Sequence, residues 1–577
     1  MTRTDTLVVG TLVLLLAIVA GLIGGPALAP TATTPSASPT VPPAAEPRPY
    51  REGVLGGPTS VSPLTARTQA DRDLVALVFS GLMRNGPGAT VVPDLAERWT
   101  VDDAGAVWTV TLREGATWHD GEPVTVEDVL FTFRTLQDPA YTGPSAGSWR
   151  DVTVAAPTER TVTFTLANPL GGFLQALTQP IAPVHLLGGV PVEQLPDDPF
   201  GLEPVGSGPF ALVELSPTSA TLIPVGGGPD GGDEPDPSAA PTDSLASARP
   251  TRRPDRPIPY LDGIEFHFAL DAASLITAFK EGELDAISGL APGAAVGLAA
   301  SSGGRLMRYP GTTLTTVLLN QRPDHPEFRD PGVRNALLSA IDRRAIVDEV
   351  FAGAAVTATT LVPPSDELFD PEADPGVSFD AAAAQKALEA ASWTKKDDGW
   401  YLDSGKEPLR IEVLSPTQDT SPALYATAAA IVAAWQAIDI DATHVPLAAG
   451  ELTGSRLSKG AFDVAVADVT IGMDPDPYPL LASSQTLTGG SNVSGIQDTR
   501  LDALLTAARK PATGEARAKA YSALQAYLAT ARYVLPIAFA DEVVVVRDTL
   551  EGAEIRQVDD PSGRFWDVLT WRLAEGR

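Results

Sequence analysis

The chain holds no cysteine among its 577 residues, which removes disulfides, thiol catalysis, iron–sulfur clusters and cysteine-ligated zinc in one step. Histidine is nearly as scarce. No two of His119, His185, His267, His325 and His444 stand at metal-ligand spacing, so neither a zinc site nor any cofactor is expected. Positive charge is short too. With 41 Lys and Arg against 72 Asp and Glu, the net charge is −31. The basic residues are too few and too scattered to track a phosphate backbone, which excludes nucleic acid as a partner. The acids are spread along the chain and keep its surface soluble. What remains is an ordinary globular composition, 44% apolar, in a chain too long for one core. Two or more lobes are expected.

Leu7 to Ile23 is almost purely apolar and follows Arg3. Its length is at the lower limit for a membrane span and above a usual signal-peptide core. Ala27-Leu28-Ala29 has the small-x-small form of a cleavage site, but Pro30 directly follows it. Two readings stay open, a removed signal peptide and an uncleaved anchor over 1–29, and the proline favours the anchor. Arg3 before the segment and no basic cluster after it place the body outside the cell. Residues 30–49, rich in Pro, Thr, Ala and Ser, have no core-forming pattern and read as a stalk. Extended at about 3.1 Å per residue they would reach roughly 60 Å.

From Tyr50 the pattern becomes globular and alternates helices with strands. Asp71 to Met83 reads as a helix with Leu74, Leu77, Val78 and Leu82 on one face, ending before a turn at Asn85-Gly86. Val107 to Leu112 alternates as a strand, and Thr125-x-x-Asp128 opens a helix with a capping box. Val152–Val154 and Thr161–Leu166 read as paired strands. The stretch 226–259 is dominated by Gly, Pro, Ser and Asp and reads as a disordered surface insertion. Beyond it Asp271, Asp330-Pro331 and Asp380 each start a helix, Asp as the cap. Leu424, Ala428, Ile431, Trp435 and Ile438 form one apolar stripe; Tyr521, Leu524 and Leu528 form another. Strands are expected at Ile440–Val445, Phe462–Val466 and Val543–Arg547. The class is mixed α/β.

No catalytic set rises above this background. His119-Asp120 precedes Gly121 and shapes a turn more readily than it makes a dyad, and Gly206-Ser207-Gly208 lacks the spacing of a nucleophile elbow. Asp474-Pro475-Asp476-Pro477 has prolines where a calcium loop needs flexible spacing. Binding rather than turnover is the expectation.

Several blocks carry a resemblance, and they occur in order. Pro93-Asp94-Leu95-Ala96-Glu97-Arg98-Trp99 is followed by Ala116 to Leu136, with its aromatic, His-Asp-Gly and capped helix. Then come Val205-Gly206-Ser207-Gly208-Pro209-Phe210, Ala278 to Asp285, Val333 to Arg343 within Asn320–Pro363, and Phe379 to Trp393. Together they resemble the signature blocks of the family 5 extracellular solute-binding proteins, the dipeptide, oligopeptide and nickel group of ABC importers. The resemblance implies a two-lobed periplasmic-binding-protein type II fold, a clamshell of mixed α/β class, here behind an N-terminal transmembrane helix and a Pro/Thr-rich stalk. Lobe I would hold 50–268 with 541–577, and lobe II 269–540, with crossings near Phe268–Asp271 and Pro536–Asp541. It also implies no enzyme activity, a peptide or small-molecule ligand, ABC permease subunits as partners, and a monomer tethered to the membrane or secreted.

The resemblance places Asn320 at a strand end near the cleft, and Asp468, Asp474 and Tyr478 on the loop after a cleft-facing strand; rigid surface turns are the competing reading for Asp474 and Tyr478. Peptide binders of the family hold the ligand's amine with an acid three residues before an Asp-Pro. Counted from Asp474-Pro475 that position is Ile471, and from Asp476-Pro477 it is Met473. A gap would bring in Asp468. An ammonium buried without a partner costs roughly 3–5 kcal/mol, so an ordinary peptide is expected only if Asp468 substitutes. The missing acid also motivates an alternative, a degenerate member acting as a membrane-anchored sensor or interaction module.

Overall fold

The computed structural model describes residues 48–145, 149–226, 259–391, 393–397, 399–402, 408–486, 490–510 and 514–574. The apolar segment 1–29, nearly all of the stalk 30–49 and the insertion 226–259 apart from its end residues lie outside them. Among the described residues no helix is long and apolar enough to cross a membrane.

One large sheet runs through the body. Its strands are β1 (Tyr50–Leu55), β2 (Phe210–Leu215), β3 (Ser219–Pro224), β4 (Ile264–Ala269), β5 (Ala286–Ser288), β6 (Arg305–Leu319), β7 (Arg410–Pro416), β8 (Asp441–Leu447), β9 (Val464–Thr470) and β10 (Val534–Val546). They lie in the order β8-β7-β9-β6-β10-β5-β1-β4-β3-β2, and Ala355–Thr357 adds to β10. β1 pairs in parallel with β4 and β5, and β7 with β8, while β6 and β10 run antiparallel.

The long strands β6 and β10 serve two separate sets of cores. Arg305–Pro310 pairs with Val546–Asp541, and here Met307, Tyr309, Val544 and Val546 join the aromatic core of the first side. After a register break between Pro310 and Leu314 the strands pair again, Leu314 with Phe539 and Leu318 with Val534. Val317 and Leu319 now enter one core, and Leu314 and Leu318 another. At the break Gly311 bridges to Val558, and a side chain at 311 would overlap the Ala540 carbonyl, so the close approach of backbones requires glycine there. Residues 272–302, two helices around β5, pack on Val543 and Val545, on the Arg305 side of the break.

Local signals explain most helix starts. Thr68 and Asp71 form a capping box at helix α1 (Gln69–Val78), and the Asp128 carboxylate accepts the Thr125 N–H at 2.7 Å before helix α2 (Val126–Gln137). Asp271, Asp330 and Asp380 each accept a backbone N–H at a helix start. The helix expected through Met83 stops at Val78 instead. Phe79 turns to extended backbone and Met83–Asn85 forms a strand. Gly81 lies so near the Thr178 carbonyl that no helical turn with a side chain fits there. A four-stranded antiparallel sheet (96–101, 107–112, 161–166, 152–158) packs on α2 through a ring cluster, with Phe133 and Phe164 edge to face at 5.1 Å. The C-terminal segment returns to the first side, where Phe565, Val568 and Trp571 fill the core beside Tyr50.

Candidate functional site

A cavity lies on each side of the break. The first, of about 550 Å³, is walled by α1, the loop after residues 161–166 and the turn that opens at Asp559. Trp149, Phe173 and Trp566 give it aromatic walls; Arg84, Asp559 and Asp560 give it charges of both signs. Arg72 lies 3.8 Å from Asp560. Burial raises the Asp559 carboxyl, and the neighbouring Asp560 charge adds to that. Nearby on β10, burial pushes Glu542 up to about 7, again reinforced by Asp560. Rings with a few charged groups suit a ligand that has apolar and ionic parts.

The second cavity, of about 600 Å³, follows β9. Leu452, Leu457, Val469, Leu480 and Val493 make it largely apolar, and Asp468 is set in its wall. The Thr315 hydroxyl donates to Asp468 Oδ1 at 2.6 Å. Among the described residues no Lys or Arg pairs with this carboxylate. Its pKa is raised by burial, which the Thr315 hydrogen bond only partly opposes. The side chain still reaches solvent, as befits a group in a concave wall. An acid so placed has one neutral hydrogen-bond partner and no counter-charge, and an ammonium entering the cavity would supply one.

The other expected ligand residues are held by the protein itself. Asn320 is fully buried. Its Nδ2 donates to the Gly460 and Phe462 carbonyls at 3.0 and 2.7 Å, and its Oδ1 accepts from the Arg322 backbone and guanidinium at 3.2 and 3.1 Å. Asp474 accepts from Arg517 and, at 3.4 Å, from the Tyr521 hydroxyl, both on helix α4 (Glu515–Ala531). Burial works against the Arg517 charge, but Asp474 and Tyr521 outweigh it and its pKa is raised. Asp476 lies 2.9 Å from Arg509 at the end of helix α3 (Thr499–Arg509), and the same guanidinium covers the Tyr478 ring at 4.3 Å. Asp474 and Tyr478 thus share one braced loop, with Asp468 on the strand before it and Asn320 apart from all three. Asp120, from the apparent dyad, binds His185 at 2.9 Å, while His119 Nε2 lies 3.1 Å from the Gly208 carbonyl.

The two sides meet along a seam away from the break. The Gly171 N–H donates to the Arg509 carbonyl at 2.7 Å, and Asp474 sits where a side chain at Gly172 would be. Nearer the break, the Ser365 hydroxyl donates to Gln557 Oε1 at 2.5 Å. Beside it burial pushes Asp366 up to about 6; the Leu368 N–H opposes the shift and the Asp474 charge adds to it. Sequence reasoning missed the first cavity altogether. Its walls come from residues 63–85, 144–180 and 559–569, and no spacing announces that assembly. The one local signal at its edge, Asp560-Pro561 at a helix start, went unread.

The model of bacterial extracellular solute-binding proteins, family 5 (middle), matches residues 90–492. Protein XP55 of Streptomyces lividans is 28% identical over 509 residues, spanning 87% of this chain and 85% of its own length. The oligopeptide-binding protein AppA of Bacillus subtilis is 22% identical over 529 residues, 91% of each chain. Its structure in complex with a nonapeptide aligns at a TM-score of 0.67 and 20% identity, covering 92% of this chain and 100% of that one. A putative peptide binding protein from Clostridium difficile aligns at a TM-score of 0.72, 20% identity, 91% of this chain and 100% of its own. The fold is the two-domain, mixed α/β fold of binding proteins.

Proposed function

The chain belongs to the bacterial extracellular solute-binding proteins of family 5, and from that premise we propose that it captures a peptide or other small solute between two hinged lobes and delivers it to the permease subunits of an ABC importer. It is a binding protein and not an enzyme. The observation that carries the proposal is the pair of strands β6 and β10, which cross between separately packed cores through register shifts at Pro310/Leu314 and Thr315/Thr316, with a cavity on each side. A two-strand crossing of this kind bends more easily than the cores on either side, and a ligand touching both lobes favours closure.

The lobe boundary in this reading is Pro310–Thr313 with Ala540, not Phe268–Asp271, because the helices over 272–302 pack with β1 and the end of β10. Lobe I is then 50–310 with 541–574, and lobe II 314–539. Asp468 is the residue that takes a ligand ammonium, with the apolar cavity around it holding the adjoining part of the solute. Asn320, Asp474 and Tyr478 hold their loops in place rather than touch solute. The relatives give the alternative reading, a sensor, no support. The segment 1–29 remains an uncleaved anchor and 30–49 its stalk, holding a monomeric body outside the cell.

Thermal-shift and calorimetric screening of the purified protein against peptide and amine-bearing solute mixtures tests the reading. A stabilising ligand is expected, with affinity reduced roughly 10- to 100-fold by Asp468→Asn, the loss of one charge-assisted contact. Failure of every mixture to shift the unfolding temperature would overturn it. For the anchor, N-terminal sequencing of exported protein should find residues before Pro30; a start at Pro30 refutes the tether.

A further inference from the structure

One wall of the second cavity is made in an uncommon way. The turn Leu452–Leu457 is wound as a π-helix, and the Ser458 N–H that follows it donates to the Thr453 carbonyl at 3.0 Å, five residues back. In so wide a turn, residues four and five apart share a face, and Leu452, Thr453 and Leu457 all line the cavity. An α-helical turn would carry Leu452 and Leu457 to different sides. The outer face is tied down. Arg456 donates to the Ala461 carbonyl at 2.6 Å and to Glu412 on β7 at 2.9 Å, and the Thr453 hydroxyl donates to the Ala449 carbonyl at 2.8 Å. Single π turns of this kind recur at functional sites, where they re-aim side chains.

The rest of the wall is matched to that turn. Leu424, Leu480 and Val493 add to the apolar lining, and every wall residue belongs to lobe II as divided above. Among the described residues no Lys, Arg or His lines the cavity. Of its two carboxylates, Asp476 is paired with Arg509, which leaves Asp468 with the Thr315 hydroxyl. A group entering here meets one uncompensated charge, negative, set among aliphatic side chains.

We infer that this cavity reads the first residue of an amine-bearing solute: Asp468 takes the ammonium, and the wall built on Leu452 and Leu457 selects a bulky, uncharged side chain beside it. The inference rests on the two-lobe reading and on Asp468 as the partner of the ammonium. A carboxylate side chain would face Asp468 with no cation in the wall to offset it. A lysine side chain would place a second ammonium among leucines with Asp468 already engaged. Glycine would leave the apolar wall uncovered. At about 600 Å³ the cavity also holds an aromatic side chain, so selection acts against small and charged side chains and not against large ones.

Calorimetry on the purified protein with the tripeptides Leu-Gly-Gly, Gly-Gly-Gly, Glu-Gly-Gly and Lys-Gly-Gly tests the inference. Leu-Gly-Gly should bind roughly 10- to 100-fold more tightly than Gly-Gly-Gly, the gain from burying one leucine side chain. Glu-Gly-Gly and Lys-Gly-Gly should bind no more tightly than Gly-Gly-Gly. Leu457→Trp, which fills the cavity, should remove most of the Leu-Gly-Gly advantage and leave Gly-Gly-Gly unchanged, whereas Asp468→Asn should weaken every tripeptide. If Leu457→Trp does not fold, Val493→Phe, at a half-buried position of the same wall, should act in the same way. Equal affinities for Leu-Gly-Gly and Gly-Gly-Gly, or a parental preference in the filled variants, overturn the inference and leave solute capture standing. Failure of the tripeptides alone, with other solutes still stabilising the protein, has the same meaning. Failure of every solute removes the capture reading as well.

Discussion

Arg564, on the lobe I side of the break, is held by carboxylates, whereas Arg334 and Arg343, on the lobe II side, are held mainly by backbone carbonyls; each side also has the other kind, Arg556 on carbonyls and Arg532 on Asp374. Arg564 is 2% exposed and forks onto Asp73 at 2.7 and 2.8 Å, with Glu52 at 2.8 Å. The Tyr50 hydroxyl completes Glu52 at 2.9 Å. Burial alone would lower the Arg564 pKa, but Asp73 and Glu52 reverse that and raise it. Arg334, equally buried, donates to the Ala531 and Phe328 carbonyls at 2.7 and 2.6 Å. Arg343 donates to the Ala358, Val377 and Pro536 carbonyls. Burial pulls both of these down to about 10, so they remain charged at neutral pH. The difference lies in what each arginine joins. Arg564 ties the C-terminal return of the chain to its first strand and first helix, 512 and 491 residues away, where ionic complementarity selects a distant partner. Arg334 collects carbonyls at the ends of elements, Phe328 six residues before it and Ala531 at the end of α4, 197 residues on.

The comparison is most sharply tested by removing each arginine in turn. Arg564→Met should lose about 3–5 kcal/mol at pH 7.5, because two carboxylates stay buried without a counter-charge. A denaturant-midpoint loss below about 1 kcal/mol would break the comparison. Arg334→Met should lose less, about 1–3 kcal/mol, the cost of leaving neutral carbonyls unsatisfied.

pH separates the two further. Burial pushes the Asp73 carboxyl up to about 6, with Arg564 opposing it, and Glu542 reaches about 7. Folded pKa values above the unfolded ones mean that the folded state takes up protons first. The cost of these groups is therefore present above their folded pKa and fades as pH falls toward the unfolded value, so stability rises between about pH 8 and 5. Losing Arg564 raises Asp73 further, and the Arg564→Met deficit should shrink on moving from pH 7.5 to 5. The Arg334→Met deficit should stay constant over that range. A parallel pH response in the two variants would show that the carboxylates around Arg564 are not what distinguishes the two arginines.

Legibility in the sequence followed the distance over which each feature is made. Thr125-x-x-Asp128, Asp271, Asp330-Pro331 and Asp380 were readable because each cap is a side chain meeting backbone two or three residues away. The stripe Leu424–Ile438 was readable because helical periodicity places those side chains on one face. The helix expected past Val78 was not, since the Thr178 carbonyl that crowds Gly81 is almost a hundred residues away. Among the candidate ligand residues, Asp468 stands in a cavity wall, whereas Asn320, Asp474 and Tyr478 carry the right residue types but are engaged by Arg322, Arg517 and Arg509. A polar residue on a loop reads the same whether it awaits a ligand or braces the loop.

Family membership, the α/β class and the positions of most elements were determined by the sequence itself, because hydrophobic period, caps and ordered motifs act over short stretches of chain. Which candidate acid stands in a cavity wall without a counter-charge, which are braced by arginines and which glycine receives Asp474 were decided only in three dimensions. Those features depend on which remote groups come within a few ångströms of each other, and neither spacing nor composition encodes such a meeting.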